Sequence, residues 1–204
     1  MTRPLGVILA GGLARRMGGG DKALLPLGDG TMLDTVLRRL TPQVAAVALN
    51  ANGDPARFSR FGLPVLADSV PGFVGPLAGV LAGLDWAAEE GVEAIVTVAA
   101  DTPFFPRDLV DKLQQASAVG GAQIALAATE GGKAGGWQPT FGLWPVVLRE
   151  DLRASLEGGT RKVLEWADRH DAARAVFSGG VDPFFNVNTR EDLAEAERKL
   201  AEAG

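Results

Sequence analysis

The stretch Leu5-Gly6-Val7-Ile8-Leu9-Ala10-Gly11-Gly12-Leu13-Ala14-Arg15-Arg16-Met17-Gly18-Gly19-Gly20-Asp21-Lys22 decides the fold. Its apolar opening is continuous rather than alternating, so the strand it forms has both faces covered. The run then meets five glycines and three cations within twelve residues, Gly11 to Lys22. Glycines let backbone N–H groups approach an anion closely, and Arg16 and Lys22 add charge-assisted hydrogen bonds. That is the chemistry of a phosphate cradle, although a flexible turn with solvated charges has the same composition. It is not a Walker A loop, because no Gly-Lys pair here is followed by Ser or Thr, and Gly131-Gly132-Lys133 runs into Ala134.

The same alternation continues downstream. Leu33, Val36, Leu37 and Leu40 recur at helical spacing within Thr31 to Leu40. Val44 to Leu49 is a second buried strand, Pro64 to Ala67 a short third, and Leu77 to Ala88 a helix. Ala94 to Ala100 is β-rich, and a helix follows from about Arg107 to Ala116. Strand and helix in turn predict a mostly parallel sheet with helices on both faces. After Ala118, strands at Gln123 to Ala128 and Thr140 to Trp144 flank the glycine-rich segment Gly131 to Gly136. Helical patterns follow at Val146 to Leu156, Arg161 to Arg169 and Glu191 to Ala203. No composition break, repeat or low-complexity linker interrupts the pattern, so residues 1–204 read as one α/β domain.

At 204 residues the chain suits one large core, burying roughly 70% of its unfolded surface. Hydrophobic residues at 47% and charged residues at 22% are ordinary for a globular protein. A net charge of -5 argues against nucleic acid or an anionic membrane as partner, so an anionic substrate needs a local cluster of donors. The absence of cysteine excludes a disulfide, a thiolate nucleophile and a Cys-based zinc site. The apolar run after Met1-Thr2-Arg3-Pro4 is too short and wrongly flanked for a signal peptide or membrane span. Cytoplasmic localisation is expected.

Ligands of open α/β sheets bind beyond the carboxyl ends of the strands. Polar groups stand at every such exit: the glycine loop after strand one, Asn50-Ala51-Asn52, Asp68-Ser69, and Asp101-Thr102-Pro103. Asp101, just past a buried strand, suits a magnesium ion bridging phosphates, with helix capping as the alternative. Asp68 either accepts hydrogen bonds from a base or ribose or ends its strand in a turn. Asn188, close to Asn186, either lends a carbonyl oxygen to the metal or caps the last helix together with Thr189. Arg161 and Lys162 open a predicted helix, where cations oppose the dipole unless an anion docks nearby; a solvated face is the plainer reading. His170, the only histidine, is expected at the surface. Trp86 and Trp166 fall on apolar stripes, and Trp137 follows the glycine loop, where it either packs or stacks on a ring ligand.

Together, Leu9-Ala10-Gly11-Gly12, Arg16-Met17-Gly18-Gly19 and Asp21-Lys22 resemble the signature loop of the molybdenum cofactor guanylyltransferases (MobA-type). The resemblance runs on, in order, through Asn50-Ala51-Asn52, Asp68, Gly75-Pro76-Leu77-Ala78-Gly79, Asp101-Thr102-Pro103, Gln138-Pro139-Thr140 and Asn186-Val187-Asn188-Thr189. It implies a Rossmann-like nucleotidyltransferase fold that binds GTP and Mg²⁺, with Mn²⁺ as a substitute. By resemblance Leu9, Ala10, Gly11, Gly12, Asn50, Asp68 and Gly79 contact the nucleotide. Lys22 and Arg16 neutralise the triphosphate, and Asp101, with Asn188, holds the metal. The implied reaction is attack by the terminal phosphate of the molybdenum-pterin cofactor on the α-phosphorus of GTP. Gln138, Arg161, Lys162, Asn186 and Asn188 are expected on the acceptor side, where the family often carries His in place of Gln138. Residues 1–118 then form a nucleotide-binding half and 119–204 an acceptor-binding half. Cofactor-delivery proteins and apo-molybdoenzymes are the implied transient partners. A sibling using CTP or a sugar phosphate, or a non-catalytic carrier, are the alternatives.

Overall fold

The first apolar run forms β1 (Leu5–Leu9), and its side chains go both ways: Leu5 and Val7 enter one core and Ile8 another. The computed structural model describes residues 3–11, 21–70, 72, 75–130, 136–178 and 182–202. Within them β1 pairs in parallel with β4 (Val47–Asn50) on one side and β6 (Ala94–Ala99) on the other. β5 (Val65–Leu66) lies parallel beyond β4. Beyond β6 come β8 (Trp137–Pro145), β7 (Ala125–Thr129) and β9 (Ala173–Phe177). The seven strands stand in the order β5-β4-β1-β6-β8-β7-β9, and only β8 runs against its neighbours.

Helices cover both faces, as continuous apolar strands require. On one face α1 (Met32–Leu40) and α3 (Leu109–Gly120) bring Leu33, Val36, Leu40, Leu109 and Leu113 against Ile8, Leu49 and Val98. On the other, α2 (Pro76–Glu89), α4 (Arg149–Glu157) and α5 (Val163–Asp168) bring Val80, Leu84, Leu152 and Trp166 against Val7, Ile95 and Trp144. Each such side chain, fully buried, contributes about 1.5–3 kcal/mol. The rings of Trp144 and Trp166 stack at 6.0 Å, so the expectation of core packing for Trp166 holds. α1 begins where it does because Thr31 and Asp34 cap each other: the Thr31 amide donates to Asp34 Oδ2 at 2.8 Å, and the Asp34 amide donates to Thr31 Oγ1 at 3.3 Å. Burial pushes the Asp34 carboxyl up, but the bonds from Thr31 and Arg60 outweigh it and hold it below its ordinary value.

A third, smaller core positions the site. The hairpin of β2 (Pro26–Leu27) and β3 (Gly30–Thr31) packs Leu27 against Val187 and against Ala196 of α6 (Arg190–Glu202). Lys22 lies just ahead of the hairpin and Asn188 just ahead of α6. This contact therefore brings together residues from the two ends of the chain.

Several boundaries differ from the sequence expectation. The hairpin escapes periodicity because its strands are two residues long. β9 escapes because, at the edge of the sheet, it exposes Arg174 and Val176. Residues Val146–Leu148 form a 3₁₀ turn, so α4 starts at Arg149. α5 starts at Val163, after Arg161 and Lys162. The Arg161 guanidinium donates to the carbonyls of Leu156 and Thr160 at 3.0 and 2.9 Å. It thus satisfies the carboxyl end of α4, where a cation is favourable, instead of opposing the start of α5.

Candidate active site

The carboxyl ends of β1, β4, β5 and β6 open onto one cavity of about 400 Å³. Leu9, Ala10 and Gly11 line its floor, Asn50, Asn52 and Asp68 one end, and Lys22, Asp101 and Asn186 the other. Gly75 and Pro76, at the start of α2, also line it, so the helix presents its positive end to the cavity. The strand-exit expectation is met at Asn50 and Asn52, at Asp68 and at Asp101; of the first exit, Gly11 and Lys22 line the cavity, and residues 12–20 lie outside the described residues.

At one end three residues from distant parts of the chain converge. Lys22 Nζ donates to Asp101 Oδ2 at 2.7 Å and to Asn188 Oδ1 at 2.6 Å. Lys22 is buried at 9% exposure, a burden a lysine carries only when paired. Asp101 caps no helix, since α3 begins eight positions later at Leu109. Its carbonyl instead accepts from Val187 N at 2.8 Å, tying the two segments together. Asn188 is likewise free of capping duty. Thr189 and Asp192 cap each other at the start of α6, with Asp192 Oδ2 accepting from the amides of Asn188 and Thr189 at 2.8 and 2.9 Å. These bonds, that of the Asn188 amide foremost, hold the Asp192 carboxyl below its ordinary value despite its partial desolvation.

Asp101 and Asn188 present hard oxygen atoms to a single point, already occupied by one cationic nitrogen. That donor set suits a divalent cation of the magnesium type, which takes one or two carboxylates and fills its other places with phosphate and water. Among the described residues no group of three or more His, Cys, Asp or Glu gathers as an all-protein cage. Such an ion would therefore share its coordination with a ligand.

At the other end, Asp68 is held by two amides. Asn50 Nδ2 donates to Asp68 Oδ1 at 2.9 Å, Asn52 Nδ2 to Asp68 Oδ2 at 2.8 Å, and the Asp68 amide returns a bond to Asn52 Oδ1 at 2.9 Å. Asn50 also donates to the Leu66 carbonyl at 3.2 Å, so its orientation is fixed. Gly79 does not line the cavity. It is buried in α2, where a Cβ would fall on Asn50 Oδ1 and lie 2.7 Å from Leu9 Cδ2, so its hydrogen is what lets Asn50 stand there.

The remaining expected residues are spread around the rim. Asn186 is exposed and lines the cavity, while Gln138 sits on β8 and pairs across to Ala127. Arg161 and Lys162 are exposed, and the Arg161 carbonyl lies 3.9 Å from a Cβ built on Gly75, beside the start of α2. Gly12 and Arg16 lie outside the described residues. Trp137 is half-buried against the α2 face with Arg174 5.5 Å over its ring, which favours packing over ligand stacking. His170 is not a plain surface residue: its ring meets Trp166 edge-on at 4.9 Å and Nε2 lies 2.9 Å from Asp151 Oδ1.

Thr140 lines the cavity without having been singled out by itself. The register of β8 slips between its pairings with Leu126 and Ala127, skipping from Gly142 to Gln138, so Pro139 to Phe141 bulge from the ladder. Pro139 was the available signal, since proline inside a strand marks such an irregularity.

A mostly parallel sheet covered by helices on both faces, with a buried lysine and a strand-end carboxylate at its crevice, defines a nucleotide-binding α/β enzyme fold. Comparison with known proteins agrees: the model of the MobA-like NTP transferase domain matches residues 6–175, and the chain belongs to that family. A molybdenum cofactor guanylyltransferase of Mesorhizobium japonicum is 53% identical over 201 residues, covering 96% of this chain and 95% of the relative. One of Rhodopseudomonas palustris (strain HaA2) is 54% identical over 198 residues, covering 95% and 91%. Among solved structures, molybdopterin-guanine dinucleotide biosynthesis protein A of Archaeoglobus fulgidus superposes with a TM-score of 0.76 at 22% identity, covering 97% of this chain and 99% of that one. Rv0371C of Mycobacterium tuberculosis in complex with manganese gives a TM-score of 0.67 at 19% identity, covering 97% and 99%. No helix among the described residues is long and apolar enough to cross a membrane.

Proposed function

We propose that this chain transfers GMP from GTP to the terminal phosphate of the molybdenum-pterin cofactor, releasing pyrophosphate. The observation that carries the reading is the meeting of Lys22, Asp101 and Asn188 at one end of a cavity whose other end holds Asp68 between two asparagine amides. Relatives of more than half identical sequence, named molybdenum cofactor guanylyltransferase, support it.

The triphosphate lies along the floor at Leu9 to Gly11, facing Lys22 and the first turn of α2. Arg16 and Gly12, outside the described residues, are assigned to the triphosphate on the family resemblance of their sequence motif alone. Asp68, which among the described residues is hydrogen-bonded by neutral amides, accepts from donors of the base or ribose. Asn50 holds Asp68 in place, and Gly79 makes room for Asn50. Asp101 and Asn188 would hold Mg²⁺, or Mn²⁺ in its place, which when bound would supply charge neutralisation to the phosphates. The acceptor enters from the side of Asn186 and Thr140, with Gln138, Arg161 and Lys162 on the outer rim, so residues 1–118 chiefly serve the nucleotide and 119–204 the acceptor. No protein nucleophile is required. The acceptor phosphate attacks the α-phosphorus in line, and the chain's work is positioning and electrostatic stabilisation. A net charge of -5 and a sequence with no cysteine fit an enzyme of the cytoplasm that meets delivery proteins and apo-molybdoenzymes only transiently.

The test is incubation with Mg²⁺, molybdenum-loaded pterin and each nucleoside triphosphate in turn, followed by mass analysis of the product. The guanine dinucleotide with GTP alone is the expected result. Equal yields with CTP, or no dinucleotide at all, would overturn the reading.

A further inference from the structure

One arginine outside the cavity connects its two ends. Arg57 lies in the 3₁₀ turn Pro55–Phe61 that follows β4. Its Nη2 donates to the Asn52 carbonyl at 2.6 Å and its Nη1 to the Asp54 carbonyl, also at 2.6 Å. Its Nε is buried and stands 2.7 Å from Asp21 Oδ2 as an ion pair, although the N–H is not aligned for a hydrogen bond. The guanidinium rests over the Phe58 ring at 4.7 Å, which limits its freedom to swing away.

These contacts are specific to a planar fork. Gly53 adopts φ 87° between the two carbonyls, a conformation that turns both toward one guanidinium. A Cβ there would come within 3.2 Å of Arg57 Nη1. Lysine, with a single ammonium, cannot serve two carbonyls and a carboxylate in this arrangement.

What the fork joins matters more than the contacts themselves. Asn52 is the residue whose amide locks Asp68 at one end of the cavity. Asp21 is the immediate neighbour of Lys22, which meets Asp101 and Asn188 at the other. We propose that Arg57 is a positioning residue that couples the nucleoside end of the site to its phosphate end. Order imposed on Asn52 and Asp68 by a bound nucleoside is passed through the fork to Asp21 and Lys22. The reverse holds equally, since coupling between two sites is reciprocal. This rests on the guanylyl reading above.

Two fragments test it, each reporting one end: guanosine for the nucleoside end and pyrophosphate for the phosphate end. Pyrophosphate affinity is measured by calorimetry with and without saturating guanosine, in the wild type and in Arg57→Ala and Arg57→Lys. In the wild type guanosine is expected to tighten pyrophosphate by roughly five- to tenfold, the low end of typical site coupling. In both variants that ratio falls to about one. A ratio is the useful readout, because the lost charge of Arg57→Ala weakens pyrophosphate in both arms alike. Arg57→Lys keeps the charge and keeps the test open should the alanine variant not fold. Synergy that survives in a folded variant, or two fragments that bind the wild type independently, would overturn the coupling while leaving the functional reading intact. A wild type that binds neither fragment would overturn that reading and the coupling with it.

Discussion

Replacing Gly79 with alanine puts a single methyl group at the point where the fold and the site share one contact. Gly79 lies inside α2, where propensity alone favours alanine by about 1 kcal/mol. The structure opposes that gain. The new Cβ would fall on Asn50 Oδ1 and lie 2.7 Å from Leu9 Cδ2. Asn50 is not free to retreat, being bonded to the Leu66 carbonyl at 3.2 Å and to Asp68 at 2.9 Å. Overpacking costs about 1–3 kcal/mol. Losing the bond to the Asp68 carboxylate costs about 1.5–3 kcal/mol more. With the propensity gain subtracted, the net loss is about 1.5–5 kcal/mol, or a melting temperature lower by roughly 3–20 °C for a domain of this size. Because Asp68 loses a holder, KM for GTP should rise about tenfold while kcat changes less, as expected when ground-state binding is removed. Thermal melting and GTP kinetics on the same preparation check both. A melting temperature that is unchanged or raised would show propensity winning, and the packing at Asn50 would then be misread.

The other expected outcomes follow the same geometry. Asp101→Asn should lower kcat by about a hundredfold or more, the scale seen when an electrostatic stabiliser of the transition state is removed, and should lower the melting temperature as well, since buried Lys22 loses its counter-charge; undiminished turnover would remove Asp101 from the chemistry. Lys22→Ala should weaken GTP about tenfold or more by calorimetry, since it deletes a charge-assisted donor; unchanged affinity would reduce the loop to a turn. Asp192→Asn addresses pH. The amide of Asn188 first, then Thr189, holds this carboxyl below 3.8 in the folded state, so its contribution is present above that value and lost as pH falls through the lowered folded value. The variant should therefore melt below the wild type at neutral pH, and the gap should close in strong acid; a gap that stays constant with pH would contradict the capping role.

The crevice at the strand ends was largely legible in the sequence, and the reasons are physical. Buried parallel strands are continuous apolar runs, and a chain leaving such a run must place its next residues on the rim. Asn50, Asp68 and Asp101 could accordingly be assigned to one crevice from position alone. Contacts between remote segments were not legible. Asn188 meets Lys22 because Val187, Leu27 and Ala196 share a small core, and no local pattern announces that contact. Arg161 read as a cation opening a helix because its spacing fits one, yet it closes the helix before it. Thr140 reaches the cavity through a bulge that alternation alone does not reveal. Arg57 carried no signal beyond the Asn52-Gly53-Asp54-Pro55 turn in front of it, because its partners are backbone carbonyls and an aspartate 36 positions earlier.

The most direct measurement is a crystal structure grown with GTP and Mn²⁺, using anomalous scattering to locate the metal. The account predicts a manganese peak coordinated by Asp101 and Asn188, phosphates in hydrogen-bond contact with Lys22, and the nucleoside against Asp68. A metal away from Asp101, or a nucleotide outside the crevice at the carboxyl ends of β1, β4, β5 and β6, would contradict it.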